Sequence, residues 1–101
     1  PVGPWIVTDL DPSDLEIRTE VTSGIAGTAG VEVRQLSRTS LMIHDIGAIV
    51  EWVSAVMTLL PGDLILTGTP EGVGPIEDGD TVSVTVEGIG TLTNPVVRKQ
   101  K

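Results

Sequence analysis

Two stretches near the start of the chain alternate between apolar and polar residues, which is the pattern of half-buried β-strands. In the first stretch, residues 15–21, one face carries Leu15, Ile17, Thr19 and Val21, and the other carries charged residues. The second stretch, residues 31–35, resumes the alternation. Between them, residues 23–30 (SGIAGTAG) are small and glycine-rich, as expected for a flexible hairpin loop. The pattern therefore predicts a β-hairpin.

The spacing of apolar residues becomes helical between residues 45 and 57. Apolar side chains recur at i, i+3, i+4, i+7 and i+11, at Ile46, Ile49, Val50, Val53 and Met57. Asp45 suits the N-cap, where a carboxylate accepts from free backbone amides. The sequence Pro61-Gly62-Asp63 then predicts a turn. One amphipathic helix is expected.

The second half of the chain indicates further strands. Residues 64–68 (LILTG) are apolar without alternation, which predicts a strand buried on both faces. EDGD at residues 77–80 is typical of a tight turn, and TVSVTVEG follows with its valines predicted to face inward. TLTNPVV is expected to be a last strand at a sheet edge, because Pro95 cannot donate to a ladder. The fold class is α+β or mainly β, in layers with one helix.

Composition excludes several functions. The formal charge is −8, from 14 acidic and six scattered basic residues, so a nucleic-acid surface is not expected. The absence of cysteine excludes disulfides and thiolate chemistry and is compatible with a cytoplasmic protein. No apolar run approaches the roughly 18 residues of a membrane span. Trp5 and Trp52, the only aromatic residues, are expected to be core or interface anchors.

The glycine-rich segment GTPEGVG, residues 68–74, raises the question of a bound ligand. A nucleotide P-loop is excluded because the segment has no lysine, and a dinucleotide fingerprint is excluded by the glycine spacing. Two interpretations remain. Either the Thr hydroxyls and exposed amides contact a ligand from a strand end, or the segment is a structural loop.

Other polar residues do not form a catalytic constellation. Residues 9–14 (DLDPSD) partly match a calcium loop, but Asp14 occupies the position that needs glycine, so a solvated turn is expected. His44, the only imidazole, is expected to be a surface or packing residue rather than a base. No G-x-S-x-G motif exposes a serine nucleophile.

Several motifs in order resemble the C-terminal half of the fumarylacetoacetate hydrolase family. They are GPWIVT, LEIRTEV, PGDLILTGTPEGVG and EGIGTLTNPV, and the likeness runs along nearly the whole chain. Within the family, the chain is most similar to bacterial 2-hydroxyhepta-2,4-diene-1,7-dioate isomerases and fumarylacetoacetate hydrolase domain proteins. The chain opens at PVGPWIVTD without Met, so we expect residues 1–101 to be the C-terminal portion of one catalytic domain.

The resemblance implies a mixed β-roll, a homodimer, and a cytoplasmic enzyme of aromatic catabolism that uses Mg²⁺ or Mn²⁺. Its substrates would be small oxo-dicarboxylic acids, isomerised, hydrolysed at a C–C bond or decarboxylated (a lyase reaction) through a metal-stabilised enolate. The family's metal ligands and acid–base residues precede the matched segment. No catalytic residue and no metal ligand is therefore expected in this chain, and the missing N-terminal half would be its partner. The residues carried over are Thr69 as a substrate contact, Gly68 beside it for close approach, and Thr67.

Two departures from the family pattern stand out. Residues 21–33 replace a short hairpin with a longer, glycine-rich one, and His44 replaces a phenylalanine, which makes it a packing replacement. The alternative function is a non-catalytic β-roll module for assembly or small-ligand binding. The upstream sequence separates the two, because the module hypothesis requires that the metal-ligating Glu-x-Glu and Asp be absent there.

Overall fold

The computed structural model describes residues 1–25 and 30–100 of the chain. Within them lie the strands β1 (Glu16–Thr22), β2 (Val31–Arg38), β3 (Thr81–Val86) and β4 (Gly90–Pro95), and the helix α1 (Ile46–Val56). Short 3₁₀ turns occupy Pro12–Asp14 and Thr39–Leu41. The predicted α+β class with one amphipathic helix is confirmed.

The four strands form one antiparallel sheet in the order β2-β1-β3-β4. The predicted hairpin between the first two alternating stretches is confirmed, although residues 26–29 of its glycine-rich loop lie outside the described residues. β4 is an outer strand, as Pro95 indicated. The pairing of β1 with β2 is interrupted once: Thr19 opposes Gln35, but Glu20 opposes Val33, so Arg34 is an extra residue in a β-bulge.

The two faces of the sheet differ in polarity as the alternation predicted. Val21 of β1 opposes Val82 of β3 and is 5% exposed, so it is buried at the centre of the sheet. On the other face, hydroxyl pairs join β3 to β4, with Oγ–Oγ1 distances of 2.9 Å for Ser83–Thr93 and 2.8 Å for Thr85–Thr91. One face is therefore apolar and the other is held by cross-strand hydrogen bonds.

The helix begins and ends where the apolar spacing placed it. Asp45 Oδ1 accepts a hydrogen bond from the backbone N–H of Ala48 at 2.7 Å, which confirms the predicted N-cap. The turn that follows is also confirmed: the Asp63 N–H donates to the Leu60 carbonyl at 3.1 Å, and Gly62 has φ +93°. The Leu60 N–H donates in return to Asp63 Oδ2 at 2.8 Å.

The predicted buried strand at residues 64–68 is wrong for this chain. The segment pairs with no strand, and its Leu66 side chain is 94% exposed. A strand is stable only where neighbouring strands satisfy its N–H and C=O groups and its side chains are covered. The described residues supply neither. The burial that the apolar pattern predicts is therefore not provided by this chain alone.

Apolar side chains are widely exposed. Among the described residues, Val21 is the only buried hydrophobic one. Trp5 and Trp52 are largely exposed, which contradicts a core role within this chain and leaves the interface role as a prediction. The apolar face of the sheet forms an open groove of about 620 Å³, lined among others by Ile76, Val82, Val84, Val86, Ile89 and Leu92. An exposed apolar surface of this kind is typical of a region that another protein segment or a ligand covers.

The predicted EDGD turn is organised by Asp80, which is 5% exposed. Its Oδ2 accepts from the Glu77 N–H at 2.9 Å and its Oδ1 from the Gly24 N–H at 3.1 Å. These donors, Glu77 first and then Gly24, hold the pKa of the Asp80 carboxyl below its usual range and outweigh the opposing effect of burial. Asp80 therefore ties the end of the hairpin β1–β2 to the turn before β3.

Asp80→Asn is expected to lower the midpoint of thermal unfolding at pH 7 by several degrees, because the amide N–H₂ faces a backbone donor. The pKa of Asp80 is lower in the folded state, so its contribution is present above the unfolded-state value of about 3.9 and is lost as pH falls through the folded value. The difference between the two proteins should therefore shrink below about pH 4. Circular dichroism melts of the complete polypeptide that carries this chain, at several pH values, measure this.

Asp78→Asn is the matched control for this experiment. Asp78 lies in the same turn but accepts one exposed hydrogen bond, from the Arg98 N–H at 2.8 Å. Its replacement should change the melting midpoint far less. An equal loss in both variants, or a loss that does not depend on pH, would contradict the role assigned to the ionised Asp80.

Candidate substrate groove

Thr67, Gly68 and Thr69 come together at one groove of about 520 Å³. The opposite wall is formed by the end of β2 and the segment that leads into α1, including Ser37, Arg38, Leu41, Met42, Ile43 and His44. The sequence placed the three residues at a strand end. In the structure they lie on an exposed segment that is not a strand, and all three line the groove.

The segment from Thr69 to Pro75 is held against β2 by two consecutive side chains. Gln35 Nε2 donates to Thr69 Oγ1 at 2.7 Å and to the Pro70 carbonyl oxygen at 2.8 Å. Arg34 Nη1 donates to the Pro75 carbonyl oxygen at 2.8 Å. In a regular strand, successive side chains point to opposite faces. The bulge at Arg34 is where this alternation is interrupted, and Arg34 and Gln35 both reach the same segment.

Glycine is favoured at Gly68 and at Gly72 for different structural reasons. Gly72 has φ +105°, and a Cβ there would overlap the backbone carbonyl oxygen of Arg34. Gly68 has φ +88° with open space where a Cβ would stand, so the backbone conformation favours glycine there and the space beside it is free of side-chain atoms. Gly72 makes a close backbone approach to β2. The close approach of a substrate beside Gly68 stays a prediction. The segment is a structural loop at Gly72, and Thr69 lies in a wall of the groove. Contact of Thr69 with a ligand stays a prediction.

Arg38, which lines the groove, is paired with two carboxylates. Arg38 Nε lies 2.6 Å from Asp14 Oδ1, and Arg38 Nη2 lies 3.6 Å from Glu87 Oε2. The hydrogen bonds from Arg38 and then from Ser40, at 2.8 Å, lower the pKa of the Asp14 carboxyl. Asp14 in turn raises the pKa of Arg38. The positive charge of Arg38 is thus already matched by carboxylates, and it anchors β2 to the first 3₁₀ turn.

His44 lies at the same groove with an exposed side chain. The interpretation of His44 as a packing replacement is therefore wrong within this chain, whereas its description as a surface residue is correct. Gln35 and Arg38 were not singled out from the sequence. The signal for Gln35 was present, because the apolar phase set by Val31 and Val33 shifts to Leu36, as a bulge requires.

The described residues do not contain a group of three or more His, Asp or Glu side chains placed to hold a metal ion. The groove itself offers two Thr hydroxyls, one imidazole and Glu71, which do not make the oxygen-rich cage that Mg²⁺ or Mn²⁺ needs. The acidic segment at residues 9–14 is a turn, since Asp11 Oδ1 accepts from the Ser13 N–H at 3.0 Å. The predicted turn at residues 9–14 is confirmed.

Across residues 1–25 and 30–100, no helix has both the length and the apolar character to cross a bilayer.

The sequence model of the fumarylacetoacetate (FAA) hydrolase C-terminal family matches residues 1–97. The chain therefore belongs to the fumarylacetoacetate hydrolase family, and the α+β sheet with one helix is the fold of that C-terminal region.

Particular relatives are close. Protein Rv2993c of Mycobacterium tuberculosis is 75% identical over 104 residues, which cover 100% of this chain and 36% of that protein. The crystal structure of 2-hydroxyhepta-2,4-diene-1,7-dioate isomerase from Mycobacterium marinum is 77% identical, with a TM-score of 0.88 over 100% of this chain and 37% of its own. A maleylpyruvate hydrolase from Sphingobium sp. SYK-6, in complex with manganese(II) and pyruvate, is 41% identical with a TM-score of 0.87 over 99% of this chain and 36% of its own. The chain thus spans about a third of the length of these relatives.

Proposed function

We propose that this chain forms the C-terminal part of a metal-dependent enzyme that acts on small oxo-dicarboxylic acids. The family match to a C-terminal region and the coverage of about a third of each relative support this division. The reaction is an isomerisation, a C–C bond hydrolysis or a decarboxylation through an enolate. The relatives named as an isomerase and as a hydrolase support isomerisation and hydrolysis among these reactions.

In this proposal the chain supplies one wall of the substrate groove, with Thr69 as the substrate contact. The observation that carries it is the convergence of Thr67, Gly68 and Thr69 on one groove, with the Thr69 hydroxyl fixed 2.7 Å from Gln35 Nε2. A hydroxyl held in this way can donate to a substrate carboxylate oxygen. Gly68 keeps the space beside Thr69 free of side-chain atoms.

A Mg²⁺ or Mn²⁺ ion, bound by residues outside this chain, would supply the Lewis-acid chemistry that stabilises the enolate. The manganese(II) complex of the Sphingobium relative supports the choice of ion. We also assign the acid–base residues to the preceding part of the polypeptide, as the resemblance to the family implies. We place the complete enzyme in the cytoplasm as a homodimer.

Thr69→Val in the complete polypeptide is expected to raise KM for a 3-acylpyruvate roughly 5–30-fold, which is the loss of one polar contact of about 1–2 kcal/mol. The valine has nearly the same shape, so the fold should stay intact, and the melting midpoint should fall only by the loss of one hydrogen bond. Steady-state kinetics with Mg²⁺ or Mn²⁺ measure KM and kcat, and circular dichroism measures the melt.

Thr91→Val is the control, because Thr91 loses a comparable side-chain hydrogen bond, to Thr85, on the sheet face away from the groove. It should leave KM unchanged. If Thr69→Val instead kept normal kinetics and lost stability, residues 67–71 would be structural, and the non-catalytic module would become the better hypothesis.

A further inference from the structure

We infer that Gln35 is a positioning residue that fixes the Thr69 hydroxyl as a hydrogen-bond donor toward the groove, and so selects substrates that present a carboxylate there. The inference rests on the proposed function, in which Thr69 contacts substrate. It assigns to Gln35, a strand residue that does not itself line the groove, control over what Thr69 can recognise.

The orientation of the Gln35 amide follows from its two partners. One is the Pro70 carbonyl oxygen at 2.8 Å, which carries no hydrogen and can only accept. The Gln35 atom that faces it must therefore be the N–H₂ group, and the same nitrogen lies 2.7 Å from Thr69 Oγ1. Both hydrogens of the amide nitrogen are thus used, one on each partner.

This arrangement fixes the polarity of the Thr69 hydroxyl. A hydroxyl has one hydrogen to donate and two lone pairs, and Gln35 occupies one lone pair. Gln35 is the only hydrogen-bond partner of Thr69 Oγ1 within the described part of the chain. The hydroxyl hydrogen is consequently left for an acceptor outside β2, on the groove side. A carboxylate oxygen, which is acceptor-only when ionised, satisfies it better than an amide or alcohol hydrogen.

The bulge in β2 explains why a strand residue can do this. Gln35 opposes Thr19 in register, whereas the preceding Arg34 has no opposing residue. The extra residue lets Arg34 and Gln35 hold the two ends of the same segment. Arg34 contacts Pro75, and Gln35 contacts Thr69 and Pro70. Bulges beside functional sites commonly redirect a side chain in this way. Gln35 thus sets the Thr69 hydroxyl while Arg34 holds the far end of the loop.

The test is a double-mutant cycle in the complete polypeptide, with Gln35→Met, Thr69→Val and the double variant. Met keeps the length of Gln and removes both donors. We expect Gln35→Met to raise KM for a 3-acylpyruvate, and the inhibition constant of pyruvate, about fivefold with kcat changed less than about twofold. In the Thr69→Val background, Gln35→Met should change neither constant beyond about twofold, because the hydroxyl it positions is gone.

Gln100→Met, in the exposed C-terminal segment, is the control and should leave KM and the inhibition constant unchanged. Two results would overturn the inference: a fall in the melting midpoint of Gln35→Met with unchanged KM, or an equal KM effect in both backgrounds, which would mean that Gln35 acts through the Pro70 backbone. If instead the proposed function is wrong, Thr69→Val alone leaves KM unchanged, which distinguishes this case from the two results above.

Discussion

Expressed alone, the 101-residue chain is expected to show no turnover of a 3-acylpyruvate with Mg²⁺ or Mn²⁺, whereas the complete polypeptide turns the substrate over. The chemical reason is that the described residues hold no metal-binding cluster. The groove offers hydroxyls, His44 and Glu71 but no paired acid and base. Binding one end of a substrate without the metal and the proton-transfer groups leaves nearly the whole barrier in place.

The isolated chain is also expected to bind a hydrophobic dye and to associate in solution. Nineteen large hydrophobic residues of the described part are exposed, and Val21 is its one buried hydrophobic residue. Apolar patches of this extent drive association when nothing covers them. Dye fluorescence and light scattering after size-exclusion chromatography measure this, with the complete polypeptide, expected to be a dye-silent dimer, as the reference.

Co-expression of the chain with the preceding part of the polypeptide, as two separate pieces, is the matched control. If the division of chemistry is correct, the pair should recover turnover and lose dye binding together. Robust turnover by the isolated chain would falsify the division. A monomeric, dye-silent isolated chain would show that the apolar groove on the sheet does not need a covering segment.

Gly72→Ala in the complete polypeptide is expected to lower kcat/KM about 10–100-fold. A Cβ at Gly72 would overlap the carbonyl oxygen of Arg34, so the loop must move away from β2. The hydrogen bonds from Gln35 to Thr69 and Pro70 lie three and two residues away and would stretch with it. A displacement of about 1 Å in a substrate-positioning group can cost about 100-fold in rate.

Gly62→Ala is the control that separates displacement from backbone strain. Gly62 has φ +93°, close to the +105° of Gly72, but a Cβ there meets nothing within 4 Å. Both variants should therefore carry a similar left-handed strain of about 1–2 kcal/mol, and Gly72→Ala should lower the melting midpoint further because of its overlap with Arg34. Only Gly72→Ala should change kcat/KM. Equal kinetic losses in the two variants would show that strain, and not the contact with Arg34, decides the effect.

Local patterns predicted the elements whose stabilising contacts lie close in sequence. The helix and its Asp45 cap, the turn at Gly62, the turn at Asp80 and the hairpin were all predicted, because short-range hydrogen bonds and periodicity determine them. The class of the fold followed from their order.

Predictions of burial that need distant contacts are not met within this chain, and an interface role for Trp5 and Trp52 stays a prediction. Leu66 lies in a run that is apolar enough for a buried strand, yet its partners are not among the described residues. Trp5, Trp52 and His44 were likewise assigned packing roles that this chain does not provide. Gln35 was missed for another reason. A bulge changes which face of the sheet the following residues occupy. Its only sign in the sequence is that the apolar spacing changes from two residues, Val31 to Val33, to three, Val33 to Leu36.

The bulge at Arg34 also bears on how the family can vary. The open end of the hairpin is anchored independently of its loop, by hydrogen bonds from the Thr39 N–H to the Leu15 carbonyl at 2.9 Å and from the Leu15 N–H to Thr39 Oγ1 at 2.8 Å. A bulge absorbs a mismatch in strand length at one point. Insertions or deletions toward residues 23–30 can then accumulate without shifting Gln35 relative to Thr19. We therefore expect that changes in the length of the glycine-rich hairpin leave the position of Gln35 beside the groove unchanged.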